Sequence, residues 1–137
     1  MIVSGVIADT HIIVWYLDSP GILSHNATLS LDTVADDPDQ RIYLSAITLV
    51  ELQYLTEKGK INPPVLPQLL AALDRPQPIL EVIPIDRNIT NSVALIPRSV
   101  VPEMPDRIIA ATALKTGLPL ITMDKKIRAL TNIQLIV

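Results

Sequence analysis

Residues 2–17 read Ile2-Val3-Ser4-Gly5-Val6-Ile7-Ala8, then Asp9-Thr10-His11, then Ile12-Ile13-Val14-Trp15-Tyr16-Leu17. The first block is a short β-branched run, the signature of a strand buried on both faces. The last block is a packed apolar stripe at helical spacing that stops at Asp18-Ser19-Pro20-Gly21, with Asp9 or Thr10 as its N-cap. Strand, acid and helix therefore follow one another within sixteen residues.

The same grammar repeats along the chain. A helical pattern from Ile22 through Leu31, Val34 and Ala35 ends in the acidic turn Asp36-Asp37-Pro38-Asp39. Arg41 to Ser45 is a second strand, and Thr48 is expected to open a helix bearing Leu49, Leu52 and Leu55, with Thr48 and Glu51 spaced as a capping box. Gly59 closes that helix, and Pro63-Pro64 starts the next, which carries Val65, Leu66, Leu69, Leu70 and Leu73. A third strand is expected over 79–85, with Pro84 marking an edge or an end, then a helix over 87–96. Residues 98–105 read as a proline-flanked loop, and Asp106 to Thr116 as a long helix stopped by Gly117. A fourth strand is expected over 118–122, a short basic helix over 124–130 and a fifth strand over 133–137.

Alternating strands and helices predict one domain over residues 1–137, an α/β fold with a mainly parallel sheet of four to five strands between helical layers. At this length a chain buries roughly 70% of its unfolded surface, so no staples are needed. With no cysteine, disulfides and thiolate metal sites are excluded. Eleven basic against fourteen acidic residues leave no global field to gather polyanions, so nucleic-acid binding would rest on local clusters. The apolar start is interrupted by Asp9 and His11 far short of a membrane span and has no basic leader, which predicts a soluble, cytoplasmic protein.

In parallel sheets, sites form beyond the carboxyl ends of strands. Asp9 and Asp124 stand there, and Glu51 and Asp106 stand early in helices. Each acid singly also reads as a cap or a helix-dipole partner. Brought together, four carboxylates raise one another's pKa and call for a hard cation, magnesium or manganese, with room for a phosphodiester and a metal-activated water.

Four blocks carry a resemblance: Ala8-Asp9-Thr10-His11-Ile12-Ile13-Val14-Trp15, Ser45-Ala46-Ile47-Thr48-Leu49-Val50-Glu51-Leu52, Asp106-Arg107-Ile108-Ile109-Ala110-Ala111-Thr112-Ala113 and Leu118-Pro119-Leu120-Ile121-Thr122-Met123-Asp124. In order and spacing they resemble the PIN-domain ribonucleases, and most closely their VapC toxins. The resemblance implies a PIN-like three-layer α/β/α sandwich. It also implies a magnesium- or manganese-dependent endoribonuclease acting as the toxin of a toxin–antitoxin pair, with a homodimer and a cognate antitoxin as partners. Asp9, Asp106 and Asp124 would hold the metal directly or through water, with Glu51 as a further ligand or water-orienting group. Thr10 and Thr122 match hydroxyls beside the acids and also read as cap or strand-end contacts. Relatives often carry Asp-Pro-Ala-Asp-Arg before the long helix, whereas this chain has Glu103-Met104-Pro105-Asp106-Arg107; Glu103 is expected to face solvent.

Arg107 and Lys125 are candidates for RNA phosphate or for support behind the acids, and Arg107 alternatively pairs with a neighbouring acid. Lys58, Lys60, Lys126 and Arg128 read either as phosphate contacts or as helix-end charges. His11 reads as a helix-surface residue and Trp15 as core or interface rather than a stacking platform. The leucine-rich helices around 49–55 and 65–73 suggest a dimer face or a partner groove, with core packing as the plainer account. Two rivals to the ribonuclease reading stay open: a non-catalytic PIN-like interaction module, and a DNA- or structure-selective nuclease of related fold.

Overall fold

The computed structural model describes residues 4–137, so Ile2 and Val3 of the expected first strand lie outside the described residues. Five strands, β1 (Ser4–Ala8), β2 (Gln40–Ser45), β3 (Leu80–Ile83), β4 (Leu120–Ile121) and β5 (Leu135–Ile136), pair in the order β3-β2-β1-β4-β5, every neighbour parallel. Seven described α-helices connect them: α1 (Thr10–Asp18), α2 (His25–Ala35), α3 (Ala46–Glu57), α4 (Val65–Leu73), α5 (Arg87–Val93), α6 (Met104–Thr116) and α7 (Lys125–Arg128).

Strand alternation sorts the aliphatic side chains into two cores. Val6, Ala8, Ile42 and Leu44 face one side, against Ile12 and Ile13 of α1, Leu31 of α2 and Leu69 of α4. Ile7 and Tyr43 face the other, against Ile109 and Ala110 of α6 and Ile127 of α7. The α3 helix straddles both, sending Leu52 to the first core and Ile47 to the second. This is the expected three-layer sandwich, with a sheet parallel throughout.

Gly5 permits the centre of that sheet. It pairs with Arg41, and a Cβ at position 5 would run into the Arg41 carbonyl. Gly117 supplies the left-handed stop of α6 at φ 72°, its N–H donating to the Ala113 carbonyl over 2.9 Å.

Several boundaries differ from those the sequence predicts. Thr48 does not open α3: the helix starts at Ala46, capped by the Ser45 hydroxyl, so the expected Thr48–Glu51 capping box is absent and both side chains are released for other contacts. Ile22 belongs to a 3₁₀ turn (Pro20–Ile22), and α2 begins at His25 behind a Ser24 cap. The α6 helix starts two residues before Asp106, with Pro105 in its first turn, where a missing N–H costs nothing. β3 stops at Ile83, before Pro84, on the sheet edge. No described helix is long and apolar enough to cross a membrane.

The strand order places β1 between β2 and β4. The chain steps outward from β1 to β2 to β3, then returns to lay β4 on the opposite side of β1. The reversal opens a crevice beyond the carboxyl ends of β1 and β4, the position such sheets use for ligands.

Candidate active site

Five carboxylates line that crevice. A cleft of about 430 Å³ is walled by Asp9, Glu51, Glu103, Asp106 and Asp124, together with Thr10, His11, Trp15, Pro105 and Met123. Each acid arrives by a different local rule. Asp9 directly follows β1 and caps α1, Asp124 lies three residues past the end of β4 and caps α7, Glu51 projects from α3, and Asp106 sits in the first turn of α6.

Asp9 lies deepest, 6% exposed. Its Oδ1 accepts the Thr10 N–H at 2.7 Å, and its Oδ2 accepts the Thr122 hydroxyl at 2.7 Å. Thr122 in turn accepts the Asp124 N–H at 3.1 Å. The Asp124 carboxylate takes the N–H groups of Lys126 (2.8 Å) and Ile127 (3.1 Å) through Oδ1. A directional chain of hydrogen bonds therefore runs from the start of α7 to the end of β1.

A second chain approaches from α3. The Thr10 hydroxyl donates to Glu51 Oε1 at 2.6 Å and stands 2.9 Å from the Thr48 hydroxyl. A hydroxyl carries one proton. With that of Thr10 given to Glu51, Thr48 is the donor to Thr10, and the order is Thr48, Thr10, Glu51. Thr48 is a site residue that the sequence reading misassigned to a cap. Its buried position one turn before Glu51 is the signal that would have found it.

The electrostatics of the cleft are strained toward protonation. Burial, followed by the charges of Asp9, Asp124, Glu51 and Glu103, raises Asp106 to about 7. Burial also pushes Asp9 up, opposed by the hydrogen bonds from Thr122 and Thr10. Glu51 is raised by burial and by Asp9, against the pull of its Thr10 bond. No lysine or arginine is among the residues lining the cleft to relieve this crowding.

A hard divalent cation fits this donor set, which is all oxygen, partly buried and short of positive charge. Among the described residues no three histidine, cysteine, aspartate or glutamate side chains are grouped to hold one ion together. Magnesium takes one or two carboxylates directly and keeps several waters, so the arrangement suits an ion met in part through water.

Two expected contributors stand away from the cleft. The Arg107 guanidinium is turned to backbone carbonyls at and just beyond the end of α5: Nε and Nη2 donate to Ile96 at 3.1 and 2.9 Å, and Nη2 to Val93 at 2.9 Å. It pairs with no acid there and instead locks α5 to α6. Lys125 is exposed at the start of α7 and does not line the cleft. Glu103 is exposed, as the sequence suggests, yet it borders the cleft and adds its charge to Asp106. His11 is exposed and Trp15 half-buried, both in the cleft wall, so Trp15 is more than the core residue its spacing suggests.

Comparison with known proteins agrees with this architecture. Residues 6–132 match the PIN domain family. The chain is 27% identical over 124 residues, 90% of either protein, to ribonuclease VapC22 of Mycobacterium tuberculosis. Among solved structures it superposes on VapBC2 from Rickettsia felis bound to a promoter DNA fragment with a TM-score of 0.72 at 23% identity, covering 96% of this chain and 97% of that one. FitAcB from Neisseria gonorrhoeae gives a TM-score of 0.64 at 25% identity, with 96% of each chain covered. With the fold, the crevice and the match along nearly its whole length in agreement, the chain belongs to the PIN domain family.

Proposed function

We propose that this protein is a magnesium- or manganese-dependent endoribonuclease, the toxin of a toxin–antitoxin pair. One observation carries the reading: in a PIN fold, a buried Asp9 held by two threonines faces Glu51, Asp106 and Asp124 across a single cleft that has no lysine or arginine of its own. Asp9, Asp106 and Asp124 would hold the ion directly or through water, and when bound it would offset the crowded negative charge and activate water for hydrolysis of a phosphodiester.

The chain's own residues supply orientation. Thr122 and the Thr10 N–H favour the ionised form of the Asp9 carboxylate against its burial and orient it. Thr10, itself steadied by Thr48, occupies Glu51 Oε1, which leaves Oε2 to serve as a further ligand or to orient an attacking water. Lys125, exposed next to Asp124 outside the cleft, is a candidate phosphate contact for the strand leaving it; Arg107, with Nε and Nη2 given to carbonyls, is a structural clamp.

A cognate antitoxin is the natural regulator, since an inserted arginine or lysine would meet five carboxylates. Support comes from the structural relatives, among them a toxin–antitoxin complex from Klebsiella pneumoniae that matches in fold. Exposed Val50 and Tyr54 on α3 and Leu70 on α4 suit a homodimer or partner face, and the pair would operate in the cytoplasm.

The test is cleavage of an end-labelled single-stranded RNA with magnesium or manganese, beside an EDTA control and the Asp106→Asn protein. Metal-dependent cutting by the wild type alone is expected. If folded, antitoxin-free wild type leaves RNA intact, or if Asp106→Asn cuts equally well, the reading fails and a binding role takes its place.

A further inference from the structure

The cleft wall on α1 consists of His11 and Trp15, one helical turn apart, with ring centroids separated by 5.8 Å and planes inclined at 47°. The same two rings line a second groove of about 330 Å³, whose far side includes Ser19, Lys60, Ile61 and Asn62. The pair is thus the ridge shared by the acidic cleft and its neighbour. Trp15 packs partly on the core, which anchors the ridge. The Asn62 amide donates to Asp18 Oδ2 at 2.9 Å and ties the α3–α4 loop to the end of α1, which holds the groove walls together.

The two recesses differ in charge: five carboxylates and no side-chain ammonium or guanidinium line the first, whereas Lys60 and a single carboxylate, Asp18, which accepts from Asn62, line the second. A phosphodiester strand crossing the acidic cleft gains nothing from side-chain cations there, so its grip must come from bases and from cations further along. Beyond the ridge stands Lys60, exposed and bordering the second groove. Unpaired bases stack on aromatic side chains irrespective of sequence, whereas paired bases have their faces covered.

We propose that this groove is the subsite for a nucleotide flanking the scissile phosphate of single-stranded RNA, its base stacked on the His11–Trp15 ridge and its outer phosphate met by Lys60. The inference rests on the nuclease reading above and adds to it the residues that grip the substrate outside the metal cluster.

Trp15 is the only tryptophan in the chain, so its emission reports on this site alone. Single-stranded RNA titrated into the Asp106→Asn protein with magnesium should quench it saturably. An abasic nucleotide beside the scissile position should abolish the quench and weaken binding about tenfold, the scale of one lost base–aromatic stack. In the cutting enzyme, Trp15→Leu should raise KM with kcat within about twofold, His11→Ala should raise KM as well, and Trp15→Phe should restore KM, as stacking requires and mere packing does not. His11 is exposed, so its variant tests the ridge even if Trp15→Leu folds poorly.

RNA that binds by anisotropy and is cut, while emission and the KM of both variants stay unchanged, overturns the subsite and leaves the nuclease standing. Equal quenching by fully paired RNA also overturns it. Absence of both binding and cutting by folded wild type overturns the nuclease reading and the subsite together.

Discussion

At the scale of single residues, the cleft trades stability for charge. Unfolded Asp106 titrates near 3.8 and folded Asp106 near 7, chiefly through burial. Between these values the folded chain keeps a proton that the unfolded chain has released. Unfolding free energy therefore falls as pH rises from about 4 to about 7, and levels off above that range. In EDTA, wild-type Tm should decline from pH 5 to pH 8, Asp106→Asn should decline less, and the variant should be the more stable at pH 8. Parallel decline in both proteins would show that Asp106 is not the strained group. Thr122 offsets the same strain at Asp9. Thr122→Val leaves Asp9 Oδ2 without its hydroxyl partner, so the Asp9 pKa rises further. The expected cost is about 1–3 kcal/mol, larger at pH 8 than at pH 5, with manganese affinity reduced roughly 10–100-fold by calorimetry. Unchanged manganese binding would separate Thr122 from the metal cluster.

At the scale of elements, two of the acids, Asp9 and Asp124, double as caps, and this duality explains both what the sequence reveals and what it conceals. Asp124 caps α7 and faces the cleft. Asparagine caps as well as aspartate, so Asp124→Asn should unfold in urea no earlier than wild type and yet lose RNA cleavage. Asp124→Ala should lose activity and about 1 kcal/mol besides. Equal loss of stability in both variants would mean that the charge, not the cap, holds α7. Asp9, Asp106 and Asp124 were legible because strand ends and helix starts are local patterns, and a parallel sheet collects strand ends on one edge, whereas Glu51 reaches the cleft from inside α3. Thr10 and Thr122 were legible as their neighbours. The roles of Thr48 and Arg107 were not. Thr48 meets Thr10 from 38 residues away, and its spacing to Glu51 imitates a capping box that Ser45 had already made unnecessary. Arg107 follows Asp106 in sequence, but its side chain turns toward the carbonyls of Val93 and Ile96, a direction set by the packing of α5 on α6.

At the scale of the whole molecule, the charge distribution limits how the protein can hold RNA. The net charge is −3, and the cleft is walled by five carboxylates. Lys58 and Lys60 border the recesses next to it, and Lys125, Lys126 and Arg128 follow the cleft residue Asp124 in α7. A strand laid across the cleft can therefore neutralise few phosphates. With about three such contacts, the logarithm of affinity should fall with the logarithm of salt at a slope near −2, from a coefficient of about −0.7 per phosphate on single strands. Between 50 and 200 mM salt, at fixed magnesium, that is a loss of roughly 16-fold, against roughly 10³–10⁵ for a protein that makes six to ten phosphate contacts. Fluorescence anisotropy of a labelled RNA on the Asp106→Asn protein measures the slope directly. A value near −2 means that recognition rests on the metal cluster and on base contacts. A slope of −5 or steeper requires about seven phosphate contacts, more than the five cations near the cleft could make, and would assign the RNA track to a wider surface or to an assembly of several copies.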